Sequence, residues 1–220
     1  MLTTLAAIVA MAGCVSTGVT RIDNMPMYGQ PEIDRPAHLV KADEDFINSV
    51  VSGFGTRKEA SKAWWAQGEK HMSQGNLDFA MRRYNQAWLL NPNNYQPYWG
   101  FARVQLEKGN VDDALKYFIK AESLIDDPRR KPALLSDMGS AYSVKGSTDS
   151  SYFAKANSKF AQSTKLDPKY PNSWRLWAFS LYEQGKYRDA WKKVEMAENL
   201  RARPFPRRFL SALSEKMPRP

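Results

Sequence analysis

The chain has 220 residues and a formal charge of +9, from 32 Lys and Arg against 23 Asp and Glu. Hydrophobic residues at 43%, with 7 Trp, 10 Tyr and 10 Phe, supply enough apolar mass for a folded core and exclude a wholly disordered chain. One Cys and two His exclude an internal disulfide framework and a thiolate metal cluster, and leave almost nothing for a zinc site.

Residues Leu2 to Met11 are uncharged. The run has the length of a signal-peptide apolar region and falls well short of the ~20 residues a spanning helix needs. It ends in Met11-Ala12-Gly13-Cys14, behind an n-region that lacks Lys and Arg. These four residues resemble the lipobox of bacterial lipoprotein precursors. The resemblance implies that 1–13 is a lipoprotein signal peptide and that Cys14 carries acyl chains such as palmitate, as the lipid anchor of the mature protein. Val15 rather than Asp after the cysteine implies, by the same resemblance, the periplasmic face of the outer membrane.

Residues 14–42 contain Pro26, Pro31, Pro36, Gly18 and Gly29 without apolar periodicity, which predicts a flexible tether. An acidic start at Asp43, Glu44 and Asp45, with Phe46, Ile47, Val50, Val51 and Phe54 near one face, predicts a leading helix within 43–60. Gly53-Phe54-Gly55 should end it.

Counting from Ser61 as position 1, Trp64, Gly68, Ala80, Tyr84, Ala87 and Pro92 fall at positions 4, 8, 20, 24, 27 and 32. A second unit from Tyr95 and a fourth from Pro171 repeat the pattern; a third from Pro132 does so with Ala156, Phe160 and Pro168 five residues late, which predicts an insertion around Ser147 to Tyr152. The pattern resembles the tetratricopeptide repeat (TPR). It implies an all-α solenoid of about four helix-turn-helix repeats: 61–94, 95–128, 132–170 with the insertion, and 171–204, together 61–204. Small residues at 8, 20 and 27 let the helices approach while large ones fill the gaps, and Gly75, Gly109, Gly146 and Gly185 at position 15 should end the first helix of each unit. Phe205, Phe209, Leu213 and Met217 recur every four residues and predict a capping helix in a basic segment, 205–220, with Pro206 at its first turn.

No nucleophile elbow, phosphate loop or His-Glu-x-x-His motif is present, so no enzyme, cofactor or metal site is expected, and His71 is read as a packing residue. In TPR proteins the concave surface comes mainly from the first helix of each unit. That resemblance makes Trp65, Glu69, Trp99, Arg103, Arg175, Phe179 and Tyr182 the candidate partner-binding residues, without the Lys and Asn set of a carboxylate clamp. Trp65 and Trp99 fit inter-repeat packing as well as a groove. Residues 201–220 hold six Lys and Arg against one Glu, with Arg201, Arg203, Arg207 and Arg208 as a basic patch. The expected function is a membrane-anchored scaffold that binds envelope proteins of pilus, peptidoglycan-enzyme or outer-membrane assembly type. Nucleic acid and small-molecule substrates are not expected. The alternatives are a cell-wall or anionic-lipid binding module using the basic cap, or an accessory subunit of an envelope enzyme.

Overall fold

The computed structural model describes residues 21–220, so the signal peptide expected at 1–13 and Cys14 lie outside the described residues. Among those described there are ten α-helices and no strands. The leading helix is α1, Ala37–Phe54. Four pairs follow: α2 (Arg57–Ser73) with α3 (Leu77–Leu90), α4 (Tyr95–Glu107) with α5 (Val111–Leu124), α6 (Lys131–Gly146) with α7 (Tyr152–Leu166), and α8 (Pro171–Glu183) with α9 (Tyr187–Asn199). The cap is α10, Arg207–Lys216, with Pro206 one place earlier than expected, at the N-cap.

Close approach between paired helices rests on glycine facing an aromatic ring. Tyr84 of α3 is 0% exposed. A Cβ on Gly68 of α2 would collide with its ring, and one on Gly100 of α4 would lie 2.7 Å from it. Gly139 of α6 faces Phe160 of α7 in the same way, at 2.9 Å. Gly75, Gly109 and Gly185 end α2, α4 and α8 with φ of 75, 82 and 70°, a conformation that a side chain disfavours. Gly146 differs: it is the last residue of α6, its φ is not in that region, and it admits Phe153 of α7, whose ring would lie 2.6 Å from an added Cβ. The expected insertion therefore appears as a turn between α6 and α7 that follows a helix carried two residues further than α4 and α8.

The leading helix begins six residues before Asp43 and ends at Phe54, within the expected Gly53-Phe54-Gly55 stop. Gly55 stops it, and Thr56 starts α2 by accepting the Glu59 backbone N–H at 3.2 Å, so 57–60 belong to the first repeat. Its Phe46 and Phe54 rings pack edge-on against Trp64 of α2 at 5.6 and 5.7 Å.

The expectation of a flexible tether over 14–42 needs correction for its described part. Residues 22–29 lie on α3, Arg35 is tied to Tyr28 and Asp43, and 37–42 are helical. Asn85 of α3, 0% exposed, donates from Nδ2 to the backbone carbonyls of Asp23 and Met25 at 3.0 and 2.8 Å. Arg82 pairs with Asp23 at 3.2 Å and donates to Asn24 Oδ1 at 3.1 Å. Tyr28 is buried under the Arg35 guanidinium, 3.8 Å from its ring centroid, and Arg35 in turn donates to both Asp43 carboxylate oxygens at 2.7 Å. Burial first, and then the Asp43 charge, push the Tyr28 hydroxyl well above its ordinary value. Prolines and glycines here shape two short 3-10 turns, Ile22–Asn24 and Pro26–Gly29, rather than a free coil.

The apolar interior divides in two. One cluster runs through the first three repeats from Ala80 to Phe160. A second comprises Ala178, Leu181, Ala190, Trp191, Val194 and Ala197 of the fourth repeat with Phe205, Phe209 and Leu213 of the cap. Trp177 packs against both. Around it the seam is polar: Ser143 Oγ donates to Ser180 Oγ at 2.6 Å, Ser163 and Ser173 hydroxyls meet at 2.6 Å, and Asn157 bonds both Trp177 Nε1 and Gln184.

Candidate partner-binding groove

The first helices of the repeats, α2, α4, α6 and α8, bring the candidate residues onto successive turns, but most are already engaged within the chain. Tyr84 Oη donates to Glu69 Oε1 at 2.6 Å, and Arg103 Nη1 donates to Glu69 Oε2 at 2.6 Å. Arg103 Nε also lies 3.9 Å from Asp137 Oδ2, and Trp99 Nε1 donates to that same oxygen at 2.9 Å. The network joins α2, α3, α4 and α6. Trp99 is 7% exposed and stacks on Tyr95 at 6.5 Å, so it is inter-repeat packing and not an open binding face. Although burial pulls the Arg103 guanidinium down, the Glu69 and Asp137 charges hold it above its ordinary value. It is therefore compensated internally and not free to pair with a partner's carboxylate. Burial raises the Asp137 carboxyl despite Arg103 and Trp99. Asp137 was missed by counting groove positions; the available signal was that it is the only charge between Lys131 and Lys145.

Phe179 and Tyr182 are covered by the cap. The Phe179 ring meets Phe209 at 4.5 Å and Phe205 at 5.4 Å, and Tyr182 meets Phe209 at 5.5 Å. Helix α10 and the segment before it thus occupy the place a further repeat would take. Arg175 remains half-buried beside them, 4.9 Å over the Phe179 ring. His71 stacks on Phe79 at 5.5 Å, in keeping with a packing role. Arg201, Arg203, Arg207 and Arg208 are all exposed.

Trp65 is different. It is half-buried and lines a cleft of about 750 Å³ where the beginning of α2, the α3–α4 turn, the beginning of α4 and the α5–α6 turn converge. The Arg130 guanidinium sits 5.0 Å over its ring. Lys58, Lys62, Asn94 and Gln96 also line the cleft. Two of its cations are loosely held, Lys58 at 4.0 Å from Asp126 and Arg130 at 4.0 Å from Asp127, whereas Lys62 donates to Glu59 at 3.0 Å and Arg129 to Asp127 at 3.2 Å. Lys58, Asn94 and Arg130 escaped the groove reading because they lie in turns and a first turn, outside the helix-centred positions of the repeat, whereas Lys62 and Gln96 hold such positions by count. Among the described residues no cluster of His, Cys, Asp and Glu is arranged to hold a metal, and no helix is long and apolar enough to cross a membrane.

A tetratricopeptide-repeat family model matches residues 71–134. No curated protein matches the chain. Among solved structures, PilF of Pseudomonas aeruginosa aligns at a TM-score of 0.54 and 16% identity, covering 80% of this chain and 84% of its own. YrrB, described as a TPR protein with an unusual peptide-binding site, aligns at 0.51 and 15% identity, covering 82% and 89%. MamA aligns at 0.51 and 13% identity, covering 77% and 96%. The family match over the first repeats and these shared folds support a TPR protein, and the architecture of the described chain is that of an all-α TPR solenoid closed by a C-terminal capping helix.

Proposed function

We propose that the chain is a lipid-anchored adaptor on the periplasmic face of the outer membrane, which binds envelope proteins through its concave side. The TPR fold supports protein binding as the general activity. The observation that carries the reading at this chain's own residues is the Trp65 cleft. It combines a flat aromatic wall, amide donors and acceptors, and two cations, Lys58 and Arg130, whose ion pairs are long enough to be exchanged for a partner's. YrrB, described as having a peptide-binding site, is a precedent for peptide binding on this fold. The anchor reading is supported by Met11-Ala12-Gly13-Cys14 alone.

Two measurements test the two halves. A photoreactive residue at position 65, activated in intact membranes, should crosslink to a discrete envelope protein, whereas labelling no stronger than at exposed Lys192 would defeat the groove reading. Cys14→Ala should leave an uncleaved or soluble protein; retention on membranes after a high-salt wash would show that lipidation is not the anchor. The exposed arginines of the cap favour a second reading, a cell-wall or anionic-lipid binding module, which would bind such surfaces in a salt-sensitive way without any protein.

A further inference from the structure

Two arginines of the first helices meet opposite fates. Arg103 has Glu69 at 2.6 Å and Asp137 at 3.9 Å. Arg175, two repeats further on, has no ion pair among the described residues, and its Nε is buried without a hydrogen-bond partner. Its guanidinium lies 4.9 Å over the Phe179 ring and 5.7 Å from the centre of Phe205, where the last repeat meets the cap. Arg203 precedes by two residues the Phe205 ring that Arg175 faces, and burial, and then the Arg203 charge, push Arg175 below its ordinary value. Arg203 itself is exposed and has no ion pair among the described residues. A half-buried cation short of a hydrogen bond and in the field of a second cation is an unfavourable arrangement that an anion would relieve.

We propose that Arg175 and Arg203 form a seat for a carboxylate of an acidic protein segment lying along the groove. A guanidinium fork matches a planar two-oxygen acceptor, and the Phe179 and Phe205 rings offer an apolar wall for the methylene stem of Asp or Glu. The Trp65 cleft at the other end carries Lys58, Lys62, Arg129 and Arg130 against Asp126 and Asp127. Both ends of the groove are therefore basic while Arg103 between them is neutralised, so the fitting partner segment is acidic at its two ends and neutral in its middle. This rests on the groove being a protein-binding surface.

The test uses the folded protein with hexaglutamate as probe, followed by calorimetry at low ionic strength. Arg175→Gln and Arg203→Gln should each weaken binding about tenfold, equivalent to about 1.4 kcal/mol, while Arg188→Gln on the outer helix α9 should not. Arg175→Gln should also leave the melting temperature unchanged or raise it, because an uncompensated charge is removed. Equal losses from Arg188→Gln would reduce the effect to general charge attraction and overturn the seat. A lower melting temperature for Arg175→Gln with binding retained would make Arg175 a packing residue. Binding of phosphatidylglycerol vesicles that is lost in Arg203→Gln, with no binding of hexaglutamate, would assign the cations to a lipid surface instead. Intact hexaglutamate binding without crosslinks from position 65 would leave the seat standing and remove only the groove reading of the Trp65 cleft.

Discussion

The first three repeats and the fourth repeat with its cap are built from the same pattern but stabilised differently. In the first region the apolar core is continuous, with Tyr84 held between Gly68 and Gly100 and a charged network tying α2, α3, α4 and α6 together. In the second, a separate apolar cluster is completed only by Phe205, Phe209 and Leu213 of the cap. Between them, hydroxyls and amides face one another and Trp177 is the apolar side chain shared by both clusters. In a solenoid, stability is approximately a sum of unit and interface terms. The chemistry of the interface then decides whether the molecule unfolds as one body or two, and here it favours two.

The largest expected effect breaks the first region. Tyr84→Ala removes a fully buried ring and leaves a hole between two glycines that cannot fill it, at a cost of about 4 kcal/mol. Hydrogen exchange should then accelerate across α2 to α5 and remain slow in α8 and α9. Leu213→Asp tests the other side. It places a carboxylate at a site that is 0% exposed and should cost about 3 kcal/mol, loosening α8 to α10 while α3 and α4 keep their protection. If either variant melts both regions together, the division is wrong.

Asn157→Ala sharpens the comparison at the seam itself. It removes the acceptor for Trp177 Nε1 at 2.9 Å and the partner of Gln184, and should cost about 2 kcal/mol. Chemical denaturation should separate into two transitions more clearly than in the wild type. The smallest effect concerns Asp137, whose carboxyl is raised by burial. The fold then binds this proton more tightly than the unfolded chain does. Its contribution is most favourable below the unfolded value near 3.9 and is lost as pH rises through the raised folded value. Asp137→Asn should abolish that decline and keep an acceptor for Trp99; a variant with the wild-type pH profile would discard the assignment.

The repeat was legible in the sequence because its rule is local. Gly68 with Tyr84, and Gly139 with Phe160 once the five-residue insertion is allowed for, hold the same repeat positions and reappear as ring-on-glycine contacts. The site was less legible because it depends on pairings between repeats. Trp99 and Phe179 occupy groove positions by count, yet the first is turned to Asp137 and the second lies under Phe205 and Phe209. A one-dimensional pattern states which face a residue is on, and not whether a neighbouring unit covers that face. The segment 21–36 failed for a related reason. Its prolines and glycines describe how the chain bends, whereas its place is decided by Asn85, an amide buried some sixty residues later on α3.

That docked segment has a mechanical consequence. Tension applied from the N-terminal side reaches Arg21 to Met25 first, and the carbonyls held by Asn85 and the Arg82–Asp23 pair pass the load directly to α3. Helix α1, which comes earlier in the chain than the repeats, is bypassed until those bonds fail. The junction loads several short bonds together, and behind them stands the Arg35–Asp43 clasp with Tyr28 beneath it. Pulled from that side, the solenoid would first shed a strap and only afterwards feel force along its own axis.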